Sequence, residues 1–184
     1  GADHLLVSGN GQSDLANNRL CVLKSTPTEH PALLLDFGKE LQGGLQLVTG
    51  MPSSHDPVSV RVRFGESVSE AMCEIDGANG ASNDHAMRDF VVSLPWLGVQ
   101  EIGNSGFRFV RIDVLGDSTE LQLKEVRAIS TFRDIPYLGS FRCNDERLNR
   151  IWKTGAYTVH LNMQEYLWDG VKRDRLVWVG DLHP

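Results

Sequence analysis

Short runs of alternating apolar and polar residues dominate the chain from Arg19 to Ile129. In Val58–Phe64 (VSVRVRF), Val58, Val60, Val62 and Phe64 fall on one side of an extended strand, with Ser59, Arg61 and Arg63 on the other. Strand side chains change face at every residue, so this spacing marks a half-buried strand. The same reasoning predicts strands over Arg19–Lys24, Ala32–Phe37, Gly44–Thr49, Asp89–Leu94, Phe107–Leu115 and Glu120–Ile129. Turn-forming clusters such as PSSHDP and GANGASND punctuate them. In Phe107–Leu115, Phe107 and Phe109 set an inner face, which Ile112 and Val114 join if a bulge near Val110-Arg111 resets the register. Strands of this length and spacing predict a mostly-β fold, an antiparallel, jelly-roll-like β-sandwich over residues 1–133.

The period changes near Asp134-Ile135-Pro136. Leu148, Ile151, Trp152, Gly155 and Val159 recur at helical spacing, and Asn144 is a good N-cap ahead of Asp145 and Glu146. One amphipathic helix over residues 145–162 is therefore expected, followed by an irregular stretch. The second domain is set at 134–184. Half of the chain's aromatic residues lie there, and one helix has nothing of its own to pack them against. Either it docks on the sandwich or it opens a helical domain.

Composition adds exclusions. The net charge is −6, and acids balance Lys and Arg over 134–184, so the excess belongs to residues 1–133. No basic face for phosphates is indicated, which argues against nucleic acid. No run approaches the ~20 apolar residues of a membrane span. Cys21, Cys73 and Cys143 have no short spacing, so they give neither a zinc motif nor a disulfide framework and read as buried or semi-buried thiols. They leave the compartment open, and the chain is compatible with export after loss of a signal. No cofactor or metal is called for. The acids Glu66, Glu70, Glu74 and Asp76 lack a DxDxDG-like loop and read as a solvated loop, not a calcium site. Trp96 reads as a core or turn anchor ahead of a sugar platform, and lone His160 and His183 as structural or solvated.

The chemistry concentrates in 165-EYLWDGVKRDRLVWVGD-181. Asp169, Asp174 and Asp181 suit a loop lining a cleft better than one helix face. Carboxylates beside indoles are suited to sugars: the acids bond hydroxyls or exchange protons with a glycosidic oxygen, and the rings stack on C–H faces. Spacing alone favours solvated ion pairs or turn-formers with Lys172, Arg173 and Arg175, and core packing for Trp168 and Trp178, over a sugar site. Glu165, at the helix end, reads as surface or as a pairing partner of Lys172 or Arg173.

The run 169-DGVKRDRLVWVGD-181 resembles the D-x-x-x-R-[ED]-x-x-x-W-x-G-D signature of bacterial α-L-rhamnosidases (glycoside hydrolase family 78), inverting enzymes with an (α/α)6 barrel. The run-up from Gly139 is similar to the lead into that barrel, and 35-LDFGKELQGGLQL-47, 62-VRFGES-67 and 106-GFRFVRI-112 to the preceding sandwich. The resemblance implies Asp174 as general acid, Asp169, Arg173 and Asp181 as substrate-binding groups, and Trp178 as a pocket wall. The substrate class implied is α-L-rhamnosides, in rhamnose-containing plant glycans or glycosides. Asp174 would protonate the leaving oxygen while a second carboxylate, ~6.5–9.5 Å away, activates water on the opposite face. This chain departs from the pattern at Asp174, where many members carry Glu, at Gly170-Val171, often Cys-Pro, and at Val177, commonly Gly. The resemblance places the general base downstream of Pro184. The 184-residue chain, as a truncated start of the barrel, is thus expected not to turn over substrate. Its segment 140–184 is expected to be disordered or to pack on its own sandwich, the missing barrel or another chain. The rival readings are a carbohydrate-binding sandwich without catalysis and a structural or interaction module.

Overall fold

The computed structural model describes residues 1–12, 19–74 and 88–182. Its elements are β1 (Cys21–Lys24), β2 (Ala32–Thr49), β3 (Val58–Gly65), α1 (Val68–Met72), β4 (Asp89–Leu94), β5 (Val99–Val114), β6 (Glu120–Ser130) and α2 (Glu146–Asn162), with 3-10 turns at Ala2–Leu6 and Val179–Leu182.

The six strands form one antiparallel hydrogen-bonded ladder in the order β1-β6-β2-β5-β3-β4. The two long central strands each serve two layers. β2 meets β6 only over Gly43–Thr49, and β5 meets β3 only over Phe109–Val114. Between these stretches the β2–β5 register shifts twice, at Asp36/Leu41 and at Gly43/Leu45. Such irregularities bend a strand and add twist. The bend brings the two ends of the ladder over a shared core, in which Leu45, Leu47, Leu121 and Leu123 join Val60, Val62, Phe64 and Ile112. Phe64 of β3 lies so close to Gly103 of β5 that an added Cβ would come within 2.7 Å of its ring, and Gly103 has φ +79. Only glycine meets both demands there. Each fully buried side chain of this core contributes about 1.5–3 kcal/mol. The β-sandwich is thus one sheet folded on itself.

Three expectations shift. Ala32–Phe37 and Gly44–Thr49 are two ends of the single strand β2, because Gly38 (φ +83) and Gly43 (φ +145) mark bulges within the strand and not its ends. The strand containing Phe107 begins earlier, at Val99. Within it the ladder runs unbroken through Val110-Arg111, and Val110, Ile112 and Val114 are buried with Phe107. The irregularity lies between Phe107 and Phe109, opposite Phe37–Glu40. Val58, Val60, Val62 and Phe64 all face the core, as their alternation predicts. Trp96 donates to the Pro52 carbonyl (3.3 Å) and packs on His55, a turn anchor.

α2 follows residues 131–143, which have no regular secondary structure. Its N-cap is Asp145, one residue past Asn144: the carboxylate accepts from the amides of Arg147 (2.8 Å) and Leu148 (3.4 Å). The face that meets the sandwich carries Tyr157 and Leu161. Tyr157 donates to the Glu40 carbonyl at 2.6 Å. His160 is structural, stacked on Phe132 and within hydrogen-bond reach of Tyr137 and the Arg133 carbonyl. The apolar positions Leu148, Ile151 and Val159 remain exposed.

Candidate active-site segment

The segment after α2 is shaped by the helix end. The Asn162 carbonyl accepts from the amides of Gln164 (3.0 Å) and Trp168 (2.9 Å), turning the chain back on itself. Arg133 holds this turn through the Gln164 carbonyl at 2.8 Å. Asp169 then closes a loop over residues 169–176. Its amide donates to the Leu176 carbonyl and its Oδ1 accepts from the Leu176 amide, both at 2.9 Å.

At the tip of that loop Asp174 (φ +60) and Arg175 (φ +55) both take the left-handed conformation. For residues with a Cβ this costs about 1–2 kcal/mol each, and it persists only where the surroundings impose it. The sandwich supplies three fastenings. Val171 is buried against Gly106, where a Cβ would lie 2.3 Å from its Cγ2. Lys172 pairs with Glu70 of α1 and, at 3.5 Å, with Glu66. Arg175 donates to the Asn104 carbonyl and lies over the Trp168 ring at 5.4 Å. Glu70 is a hub: it also stands 3.7 Å from the fully buried Arg88 and accepts from the Glu66 amide at 2.8 Å.

Asp169 and Asp181 line one cavity of about 290 Å³ with Asn162 and Trp168. Arg173 and Asp174 form a second pair, with the guanidinium Nε and Nη2 each 3.3 Å from Asp174 Oδ2. Arg173 projects into solvent, while the Asp174 side chain is mostly covered, at 22% exposure. Trp178 is half exposed and does not line the Asp169–Asp181 cavity, although its carbonyl accepts from the Asp181 amide at 3.0 Å. Glu165 is exposed, and Lys172 pairs with Glu66 and Glu70 instead of with it. Glu74 binds Arg61 and Arg63, while Asp76 and His183 lie outside the described residues. Among the described residues no cluster of His, Cys, Asp and Glu could hold a metal, and no helix is long and apolar enough to cross a membrane.

On the sandwich side of Asp169 lies a larger cleft, of about 740 Å³, between β2, β5, α2 and the loop. Glu40 lines it. Burial, reinforced by Glu66 and Glu70 and opposed by Lys172 and Arg108, pushes its carboxyl up to about 8. Across the same rim the two-pronged bond from Arg108, together with the Gly38 amide, holds Asp36 down at about 2. Neither Glu40 nor the wall residues Tyr157 and Asn162 carry a signal in the sequence, because the bulge in β2 and the docking of α2 bring them together.

Residues 136–184 match the family model described as the bacterial alpha-L-rhamnosidase 6 hairpin glycosidase domain. A curated alpha-L-rhamnosidase of Formosa agariphila is 31% identical over 78 residues, 42% of this chain and 8% of that protein. The fold is similar to a rhamnosidase from Klebsiella oxytoca solved with rhamnose bound (TM-score 0.73, 23% identity, 86% of this chain and 32% of that one). It is similar also to the GH78-family rhamnosidase of Bacillus sp. GL1 (TM-score 0.71, 20% identity, 96% of this chain and 18% of that one). The chain thus spans under a third of the relative and of both solved structures. The last part of the chain thus resembles a bacterial α-L-rhamnosidase glycosidase domain, and the fold of the chain is similar to part of two rhamnosidases.

Proposed function

We propose, from this kinship with bacterial α-L-rhamnosidases, that residues 134–184 are the opening active-site segment of an inverting rhamnosidase-like glycosidase and that residues 1–133 are its supporting sandwich. Asp174 is the general acid that protonates the leaving glycosidic oxygen. Asp169 and Asp181 accept from the hydroxyls of a rhamnose unit in the cavity they share, Arg173 exchanges its hold on Asp174 for the sugar, and Trp178 stacks on the ring as a wall. The water-activating carboxylate belongs to residues outside this chain, so the 184 residues alone bind the sugar without cleaving it. The substrates are rhamnosides of plant glycans or glycosides.

The observation that carries this reading is the coincidence of two features in one loop. The stretch matched to the glycosidase family contains Asp174 and Arg175 in successive left-handed conformations, clamped to the sandwich by Val171, Lys172 and Arg175. Strain imposed in this way presents a chosen side chain at a fixed place. Two measurements test it. L-rhamnose should quench the indole fluorescence of the chain saturably, with the effect lost in Trp178→Phe. p-Nitrophenyl α-L-rhamnoside should not be hydrolysed above background. Rapid turnover abolished by Asp174→Asn would disprove the need for outside residues, and absence of any quench would remove the sugar assignment.

A further inference from the structure

The cleft between sandwich and helix has a chemistry of its own. Two of its lining residues carry buried acceptor oxygens, Glu40 Oε1 and Asn162 Oδ1, that meet no hydrogen-bond donor among the described residues. Buried polar atoms are nearly always satisfied, so two on one cleft call for a partner that brings donors. Most of the charges around them have partners, and Lys153 and Asp169, of opposite sign, line the cleft as well. Arg108 forks onto Asp36, Glu66 holds Lys172, and Lys39 sits over the Tyr157 ring at 4.8 Å. A charged ligand would be attracted by one of Lys153 and Asp169 and repelled by the other, whereas a neutral ligand rich in hydroxyls can bond to both. The volume of about 740 Å³ exceeds one sugar ring and falls within the ~300–1,000 Å³ of small-molecule sites. Thr154 and Thr158 of α2 add hydroxyls along the same wall.

We propose that this cleft is a binding subsite for a neutral sugar unit, held by hydroxyls that donate to Glu40 and Asn162. Asp174, Arg173, Trp178 and Asp181 are not among its lining residues, while Asp169 and Asn162 are shared with the smaller cavity, so the site is independent of the general-acid assignment and adjoins the proposed rhamnose cavity. Its wall is shared between β2 and α2, and an occupied cleft would tie the helix more firmly to the sandwich.

The test is a titration of the 15N-labelled 184-residue chain with L-rhamnose and, separately, D-glucose, followed by the amide shifts of Gly38, Lys39, Thr154 and Thr158. Saturable shifts at these amides at millimolar sugar are expected. They should persist in Asp174→Asn and in Glu40→Gln, which keeps the acceptor. Glu40→Leu should weaken binding about tenfold, the effect of one hydrogen bond to a buried group. Thr154→Trp, at an exposed position on the wall, should block the cleft by bulk without disturbing the core, and it settles the matter if Glu40→Leu fails to fold. Shifts confined to Leu176–Asp181, or none with either sugar, would overturn the subsite. The first of those results would leave the rhamnosidase reading standing.

Discussion

Glu40 holds its proton far above the ordinary carboxylate range, because burial in the cleft and the neighbouring Glu66 and Glu70 disfavour its charge. The folded state therefore binds that proton more tightly than the unfolded chain. Glu40's contribution is most favourable below the unfolded value of about 4.5 and is lost as pH rises toward about 8. Glu40→Gln removes the ionisation while keeping the shape. It should raise Tm at pH 8 relative to wild type and change it little at pH 5. Discounted for screening through the open cleft, about 1 kcal/mol, or roughly 2–4 °C, is expected. Equal shifts at both pH values would show that the carboxyl is not perturbed. Gly106 makes a second point at the same scale. Its missing Cβ is what lets Val171 seat, since Val171 Cγ2 would lie 2.3 Å from it. Gly106→Ala should cost about 1–3 kcal/mol by overpacking, visible in thermal unfolding as a lowered Tm.

At the scale of elements, the loop over residues 169–176 depends on α1, a helix of only five residues, through Lys172 and Glu70. Both side chains are largely covered, at 11% and 17% exposure, so removing Lys172 takes a close charged partner from Glu70, which keeps Arg88 and the Glu66 amide. Lys172→Met should cost about 1–3 kcal/mol and speed hydrogen exchange at Asp169 and Leu176, whose amides depend on the closed loop. Unchanged exchange there would mean the loop holds its own shape. The N-cap Asp145 is expected to contribute about 0.5–2 kcal/mol to α2, read as lost stability in Asp145→Ala. The strands with strict alternation, such as Val58–Phe64, were legible in the sequence, because their pattern follows from one buried face. β2 was not, since its bulges at Gly38 and Gly43 look like turns when read locally. Asn144 and Asp145 are both competent caps, and only the helix geometry chooses between them. The acid-rich segment was legible as a cluster, but its fastening to Gly106 and Glu70 comes from residues far away in the chain. Composition gives no sign of such long-range contacts.

At the scale of the whole molecule, one folded-over sheet serves as a platform and α2 with its following segment is laid against it. The helix docks through Tyr157 and Leu161 and leaves Leu148, Ile151 and Val159 exposed; Leu176, Val177, Trp178 and Val179 are exposed in the segment after it. An apolar surface of this kind marks a place for further packing. The isolated chain should bind a hydrophobic dye more strongly than a typical domain of its size. Limited proteolysis should cut first in the irregular residues 131–143 and release an intact sandwich. Uniform resistance through that stretch in a monomer would show that the helix is sealed to the sheet.

The central claim, that the segment after α2 is the opening of a rhamnoside site, is tested most directly by mapping L-rhamnose contacts on the chain by NMR. Saturable shifts at the Leu176 and Asp181 amides, lost in the Asp169→Asn, Asp181→Asn double variant whose fold is intact, are the predicted result. Rhamnose leaving both amides unmoved at saturating concentration would contradict it.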